Sequence, residues 1–166
     1  EKFDSKNTKP EDFTGVKGKR KVPMMHNYDD YNYCEYGGFE AIELPYGKGD
    51  YAMTVIMGKS EDKLSPEVMS GIVSAMKKEY ISLGFPKFET ETDISEFPIS
   101  LVKFDSFRHV AKINVDEEGT EAAAVTVIGD AAIAPNAPRE LVFNQPFYFV
   151  ITQKSTGVIL FVGYYC

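Results

Sequence analysis

The chain has 166 residues, 43% of them hydrophobic and 26% charged, with 12 Phe and 10 Tyr. That excludes wholesale disorder and fits one domain burying roughly 70% of its extended surface. A formal charge of −7 argues against nucleic acid or an anionic membrane as the main partner. No segment approaches the roughly eighteen uninterrupted apolar residues of a membrane helix. Two cysteines, Cys34 and Cys166, allow one bridge or none, and cannot build a disulfide framework or a four-thiolate zinc site.

Residues 1–21 are polar and lysine-rich, ending in Gly15-Val16-Lys17-Gly18-Lys19-Arg20-Lys21. Two glycines and four basic residues suit an anion-binding turn, but no helix follows to supply amides, so a solvated hairpin is the better reading. Val22-Pro23-Met24-Met25 opens an apolar strand. Tyr31 to Tyr46 is strand-like and aromatic, bent at Gly37-Gly38. Tyr51 to Met57 is a nearly continuous apolar run, the mark of a strand covered on both faces.

One segment is clearly helical. Ser65 is placed to cap it, Pro66 fits the first position, and Glu67 complements the first turn. Val68, Met69, Ile72, Val73, Met76 and Tyr80 recur at helical spacing, with Lys77 and Lys78 in the last turns and Gly84 beyond. Phe85 to Glu91 and Phe107 to Val115 then read as strands. The last residues predict a hairpin: Leu141 to Thr152, a turn around Ser155-Thr156-Gly157, and Val158 to Tyr164. The fold class is therefore a β-rich α+β domain. The chain opens at Glu1-Lys2-Phe3 and stops at Cys166 straight after an apolar run, which reads as a processed form or part of something longer.

Enzyme chemistry finds little footing. His26 and His109 are the only histidines, and neither lies near a Gly-x-Ser-x-Gly turn. His26, Asp29, Asp30 and Glu35 match neither a calcium-loop nor a zinc spacing and read as a surface turn, so no metal or other cofactor is expected. Cys34 reads as a buried thiol and His109 as a hydrogen-bonded core histidine.

Residues 115–128 break the pattern. As a strand, this stretch would place the small, uncharged Thr120, Ala122, Ala124 and Thr126 on one face, and Glu121, Ala123, Val125 and Val127 on the other. A row of small residues suits insertion into a packed sheet, where large side chains would clash, and Gly119 offers a pivot. Gly129 to Pro138 reads as an exposed loop. A plain strand followed by a long connection fits the pattern equally well.

Val115-Asp116-Glu117-Glu118-Gly119-Thr120-Glu121-Ala122-Ala123-Ala124 closely resembles the reactive-loop hinge of serpins, the inhibitory members above all. Val22-Pro23-Met24-Met25, Glu43-Leu44-Pro45-Tyr46, Pro86-Lys87-Phe88 and His109-Val110-Ala111 resemble further serpin landmarks in the family's order. So do Phe143 to Phe149 and Ile159 to Gly163. The resemblance covers nearly the whole chain and implies the C-terminal part of one serpin domain across 1–166. Its reactive loop would span 117–142 and its hinge 117–126, with Glu117, Glu118, Gly119, Thr120, Glu121, Ala122, Ala123, Ala124 and Thr126 as hinge residues.

The resemblance further implies a protease inhibitor, not an enzyme. The protease attacks the loop, and the freed hinge inserts into the main sheet and traps the acyl-enzyme. Family spacing forward from Glu117 places the residue before the cut at Ile133; spacing back from Phe143 gives Pro135. The scissile candidates are thus Ile133, Ala134, Pro135 and Asn136, with Asp130 a distant alternative. Ile133 or Ala134 favours an elastase- or subtilisin-like partner, whereas Arg139 lies too close to the following strand to suit a trypsin-like one. The family's habit further implies extracellular action and self-association through loop–sheet exchange.

Several family features are absent: the N-terminal helices, most of the sheet strand beside which the loop inserts, a Leu-Pro after Met57, and a helix and part of a strand between Asp93 and Leu101. A terminal proline is also missing. A chain complete at this length would lack a full receiving sheet. That leaves a non-inhibitory binding or structural module, or a plain protease substrate, as the competing expectations.

Overall fold

The computed structural model describes residues 3–58, 64–93, 110–117 and 137–166. After a short 3-10 turn at Ser5–Asn7 come β1 (Lys9–Gly15), β2 (Gly18–Tyr36), β3 (Phe39–Tyr46) and β4 (Tyr51–Gly58). A helix, α1 (Pro66–Ala75), precedes β5 (Lys77–Pro86), β6 (Phe88–Asp93) and β7 (Val110–Val115). The chain closes with β8 (Arg139–Val142), β9 (Phe147–Gln153) and β10 (Val158–Tyr165).

Eight strands form one sheet in the order β10-β9-β4-β3-β2-β5-β8, with β1 also on β2. The long β2 pairs β1 along Gly18–Met24, β5 along Met24–Tyr33 and β3 along Asn32–Tyr36. Every pairing is antiparallel except β5 with β8. β6 and β7 make a separate two-stranded antiparallel sheet. Gly37 and Gly38 both adopt positive φ, which lets a two-residue turn join β2 to β3.

Strand alternation sends side chains to two cores. On one face, Phe39, Ala41 and Ile56 join Cys34 beneath Ile72 of α1. On the other, Ile42, Leu44, Met53, Val55 and Met57 join a larger cluster that takes in Phe88, Ile113 and Val115 of the two-stranded sheet. β4 therefore buries both faces, as its unbroken apolar run predicts. Phe88 is the aromatic pivot between the sheets: its ring lies 4.7 Å from Tyr165, 5.8 Å from Phe147 and 5.6 Å from Phe149.

The helix starts as its sequence predicts, with the Ser65 hydroxyl accepting from the Val68 N–H at 3.3 Å. It ends sooner. Met76 is already extended, and Lys77 to Tyr80 belong to β5, where they pair with Tyr33 to Asp30 of β2. The apolar positions Ile81, Leu83 and Phe85 set a strand period from there, and a ten-residue ladder outweighs the helical spacing that reached Tyr80. Leu141 to Thr152 also divides. Leu141 and Val142 pair with β5, residues 143–146 leave the ladder, and β9 begins at Phe147 after Pro146. His26, Asp29, Asp30 and Glu35 all lie on β2 rather than on a turn, because β5 and β3 keep that strand paired.

Candidate functional site

Glu117 lies two residues beyond the end of β7 and is the one candidate hinge residue among the described residues; Glu118 to Thr126 lie outside them, as do Ile133, Ala134, Pro135 and Asn136. Three residues from two stretches of chain hold it. Its backbone carbonyl accepts from the Phe3 N–H at 2.9 Å. Its Oε1 accepts from the Thr8 hydroxyl at 2.9 Å, and its Oε2 lies 2.8 Å from Lys87 Nζ. The Glu117 side chain is 18% exposed against 43% for Lys87. The hydrogen bond from Lys87 is the main cause that holds its carboxyl below the ordinary range, and the same contact raises the Lys87 ammonium.

Each neighbour is fixed by its own element. Lys87 joins β5 to β6, and its N–H donates to the Pro23 carbonyl at 2.8 Å. Thr8 precedes β1 and caps the 3-10 turn. Ile113 and Val115 bury into the larger core, so β7 delivers Glu117 to the junction of both sheets. The Glu117 carboxylate and carbonyl accept from an ammonium, a hydroxyl and a backbone N–H, and so tie these segments together. This is a fastening.

Arg139 marks the other end of the stretch. It opens β8 opposite Ile81, and its Nε lies 2.6 Å from Glu79 Oε1 while its Nη1 lies 2.7 Å from Glu35 Oε1. The guanidinium also sits 5.1 Å from the Tyr33 ring centroid. The Tyr33 hydroxyl donates toward Glu35 and Glu40, and burial together with those carboxylates pushes its pKa up. Just downstream, the Phe143 N–H donates to the Gly84 carbonyl at 2.8 Å, and Phe143 packs on Phe85 with centroids 5.5 Å apart.

The remaining sequence candidates separate from this site. His26 Nε2 meets Glu11 Oε1 at 2.7 Å across β1 and β2. Among the described residues, no group of three His, Cys, Asp or Glu side chains could hold a metal ion. Cys34 is buried with its thiol 3.4 Å from the Ile72 carbonyl, and burial raises its pKa, whereas Cys166 is exposed; both are free. His109 lies outside the described residues. Sequence reasoning quoted Lys87 inside the Pro86-Lys87-Phe88 landmark but did not assign it to Glu117. In the sequence Glu35 reads only as a possible metal ligand and never as a partner of Arg139, and Thr8 and Glu79 carry no signal at all.

A two-stranded sheet packed through Phe88, Ile113 and Val115 into the core of an eight-stranded sheet is the architecture that carries this site. The sequence profile of the serpin (serine protease inhibitor) family matches residues 1–104 and 90–166. The chain belongs to the serpin family. It is 28% identical to an uncharacterized serpin-like protein of Thermococcus kodakarensis, over 98% of this chain and 45% of the relative. It is 29% identical to Serpin-Z1 of Arabidopsis thaliana, over 97% and 48%, and 29% identical to Serpin B4 of Homo sapiens, over 98% and 50%. Among solved structures, the thermophilic serpin tengpin in its native state aligns with a TM-score of 0.74 at 22% identity, covering 99% of this chain and 51% of that one. Native protease nexin-1 with heparin aligns at 0.73 and 21%, with the same coverage. The chain spans about half the length of the relatives it matches.

Proposed function

We propose that this chain is the loop-bearing, C-terminal part of a protease inhibitor that works as a suicide substrate. The observation that carries the reading is the fastening of Glu117 to Lys87 and Thr8 where β7 ends, directly before the hinge residues Glu118 to Thr126. The serine hydroxyl of the target adds to the carbonyl carbon of the scissile bond among Ile133 to Asn136. The C–N bond breaks, the leaving amine takes a proton, and an ester to the protease remains. The freed hinge then pairs beside β7. New ladder hydrogen bonds contribute about 1 kcal/mol net each, in addition to burial of the small-residue face.

Small apolar residues around Ile133 and Ala134 suit an elastase- or subtilisin-like target, and the family's habit suggests that the encounter is extracellular. The β7 edge that carries no partner strand among the described residues suits loop–sheet pairing between copies. A specific observation favours a second reading for the chain by itself: among the described residues, the sheet that would receive the hinge has two strands. A chain without more of that sheet would be cleaved and released.

Mixing the intact protein with elastase and with subtilisin, then resolving the products on denaturing gels, tests both. A covalent adduct with the cut mapped between Ile133 and Asn136 supports trapping. Clean cleavage without adduct from both proteases overturns it in favour of a substrate-like or binding role.

A further inference from the structure

Arg139 is the sole Lys or Arg between Lys112 and Lys154, so it is the one residue in that stretch that a trypsin-like protease would select. Such a protease recognises Arg through a carboxylate at the base of its specificity pocket. Here the guanidinium is already engaged by that chemistry twice over, at 2.6 Å from Glu79 and 2.7 Å from Glu35, on strands β5 and β2. The Tyr33 ring lies against it, and the hydroxyl of that tyrosine donates to Glu35 at 3.1 Å, which steadies one of the two carboxylates. The Arg139 backbone is held as well, opposite Ile81 at the start of a four-residue edge strand.

We propose that Glu35, Glu79 and Tyr33 form a lock that withholds Arg139 from trypsin-like proteases, making these three residues a determinant of which proteases can use this part of the chain. The role assigned to the lock, selecting targets, rests on the inhibitor reading, although the lock itself does not require it. Cleavage after Arg139 needs the side chain to leave both carboxylates and the ring before it can enter a protease pocket. It also needs the edge strand to lift from β5. A selective surface gains as much from refusing the wrong partner as from fitting the right one. Arg suits such a lock better than Lys, because a planar guanidinium can meet two carboxylates and a ring face at once.

The test is a time course of limited trypsin digestion of the intact protein, with each cut mapped by mass spectrometry. Lys17, exposed in the turn between β1 and β2, is the internal reference. The cut after position 139 is expected to be on the order of 10-fold slower than the cut after Lys17. In the double variant Glu35→Gln, Glu79→Gln it should accelerate by a similar factor, with the Lys17 rate and the unfolding midpoint unchanged. Arg139→Lys keeps a cleavable residue but loses the fixed planar fork and its stacking on the Tyr33 ring, so it should also be cut faster. It decides the matter if the double variant unfolds. Equal rates after Lys17 and Arg139 in the natural protein overturn the lock, as does an Arg139→Lys variant cut no faster. The readout is independent of adduct formation with elastase or subtilisin, so trapping can fail while the lock stands.

Discussion

Glu117 ties together positions 30 and 109 residues away in sequence, and its loss therefore reports on the junction of both sheets. Glu117→Gln keeps an acceptor for Thr8 but removes the charge facing Lys87. Because the contact is partly open to solvent and screened, the expected loss is modest, a fall of about 1–3 °C in the unfolding midpoint near neutrality. Glu117→Lys sets two ammonium groups face to face and should cost more. The pH dependence has a definite sign. The carboxyl is held below its ordinary value of 4.5 in the folded chain, so the unfolded chain binds more protons in that window. The contribution is full above 4.5 and is lost as pH falls through the lower folded-state value. Thermal unfolding followed from neutrality into acid should thus show the natural and Gln chains differing most near neutrality, with the difference shrinking as pH falls below 4.5. A difference that persists unchanged in acid would show that something other than this charge holds Glu117.

At the scale of elements, α1 is a short helix whose value lies in what it covers. Gly71 lets it sit against the Tyr36 ring, where a side chain would collide. Ile72 is its one fully buried residue and closes the smaller core over Cys34 and Ile56. Ile72→Ala should destabilise the protein by about 2–5 kcal/mol through lost burial and the cavity left behind. The thiols give a local readout. In the natural chain a thiol reagent should modify exposed Cys166 and spare Cys34; in the variant Cys34 should become reactive while the protein is still folded. Protection of Cys34 in both would mean that α1 is not its cover. The same element shows what a sequence can and cannot convey. Ser65, Pro66 and Glu67 announce the start of α1 because capping is local chemistry. Its end was illegible because Met76 and Tyr80 satisfy helical spacing, while the pairing that draws Lys77 onward into β5 comes from β2, over forty residues earlier. The candidate site divides the same way. The run of small residues after Glu117 is visible in sequence, because residue size and order need no partner to be read. The Thr8 and Lys87 contacts, and the Glu35 and Glu79 contacts to Arg139, exist only once β1, β5 and β8 are arranged around β2.

On the scale of the whole molecule, β10 is the element that leaves the most large apolar residues exposed among the described residues. It is an edge of the eight-stranded sheet, paired on one side by β9, so its other row of backbone groups is unpaired within that sheet. Phe161 and Tyr165 turn toward the larger core, yet Val158, Ile159, Leu160, Val162 and Tyr164 are exposed, Val162 by 60%. A long apolar edge with open hydrogen-bonding groups is a template for another strand or another surface, and the chain spans only about half the length of its serpin relatives. The 166-residue chain by itself is therefore expected to self-associate at micromolar concentration and to bind a hydrophobic dye. Charges placed on the exposed positions should counter both without touching the core: Ile159→Lys with Val162→Lys should shift the chain toward monomer and reduce dye binding by about half or more. Sedimentation velocity against concentration, with dye fluorescence alongside, measures the two effects on the same samples. Association that survives the lysines would move the sticky surface elsewhere, with the β7 edge that lacks a partner among the described residues next in line. In that case Glu117→Lys, which loosens the strand end at that edge, should increase assembly, whereas the β10 lysines would leave it unchanged.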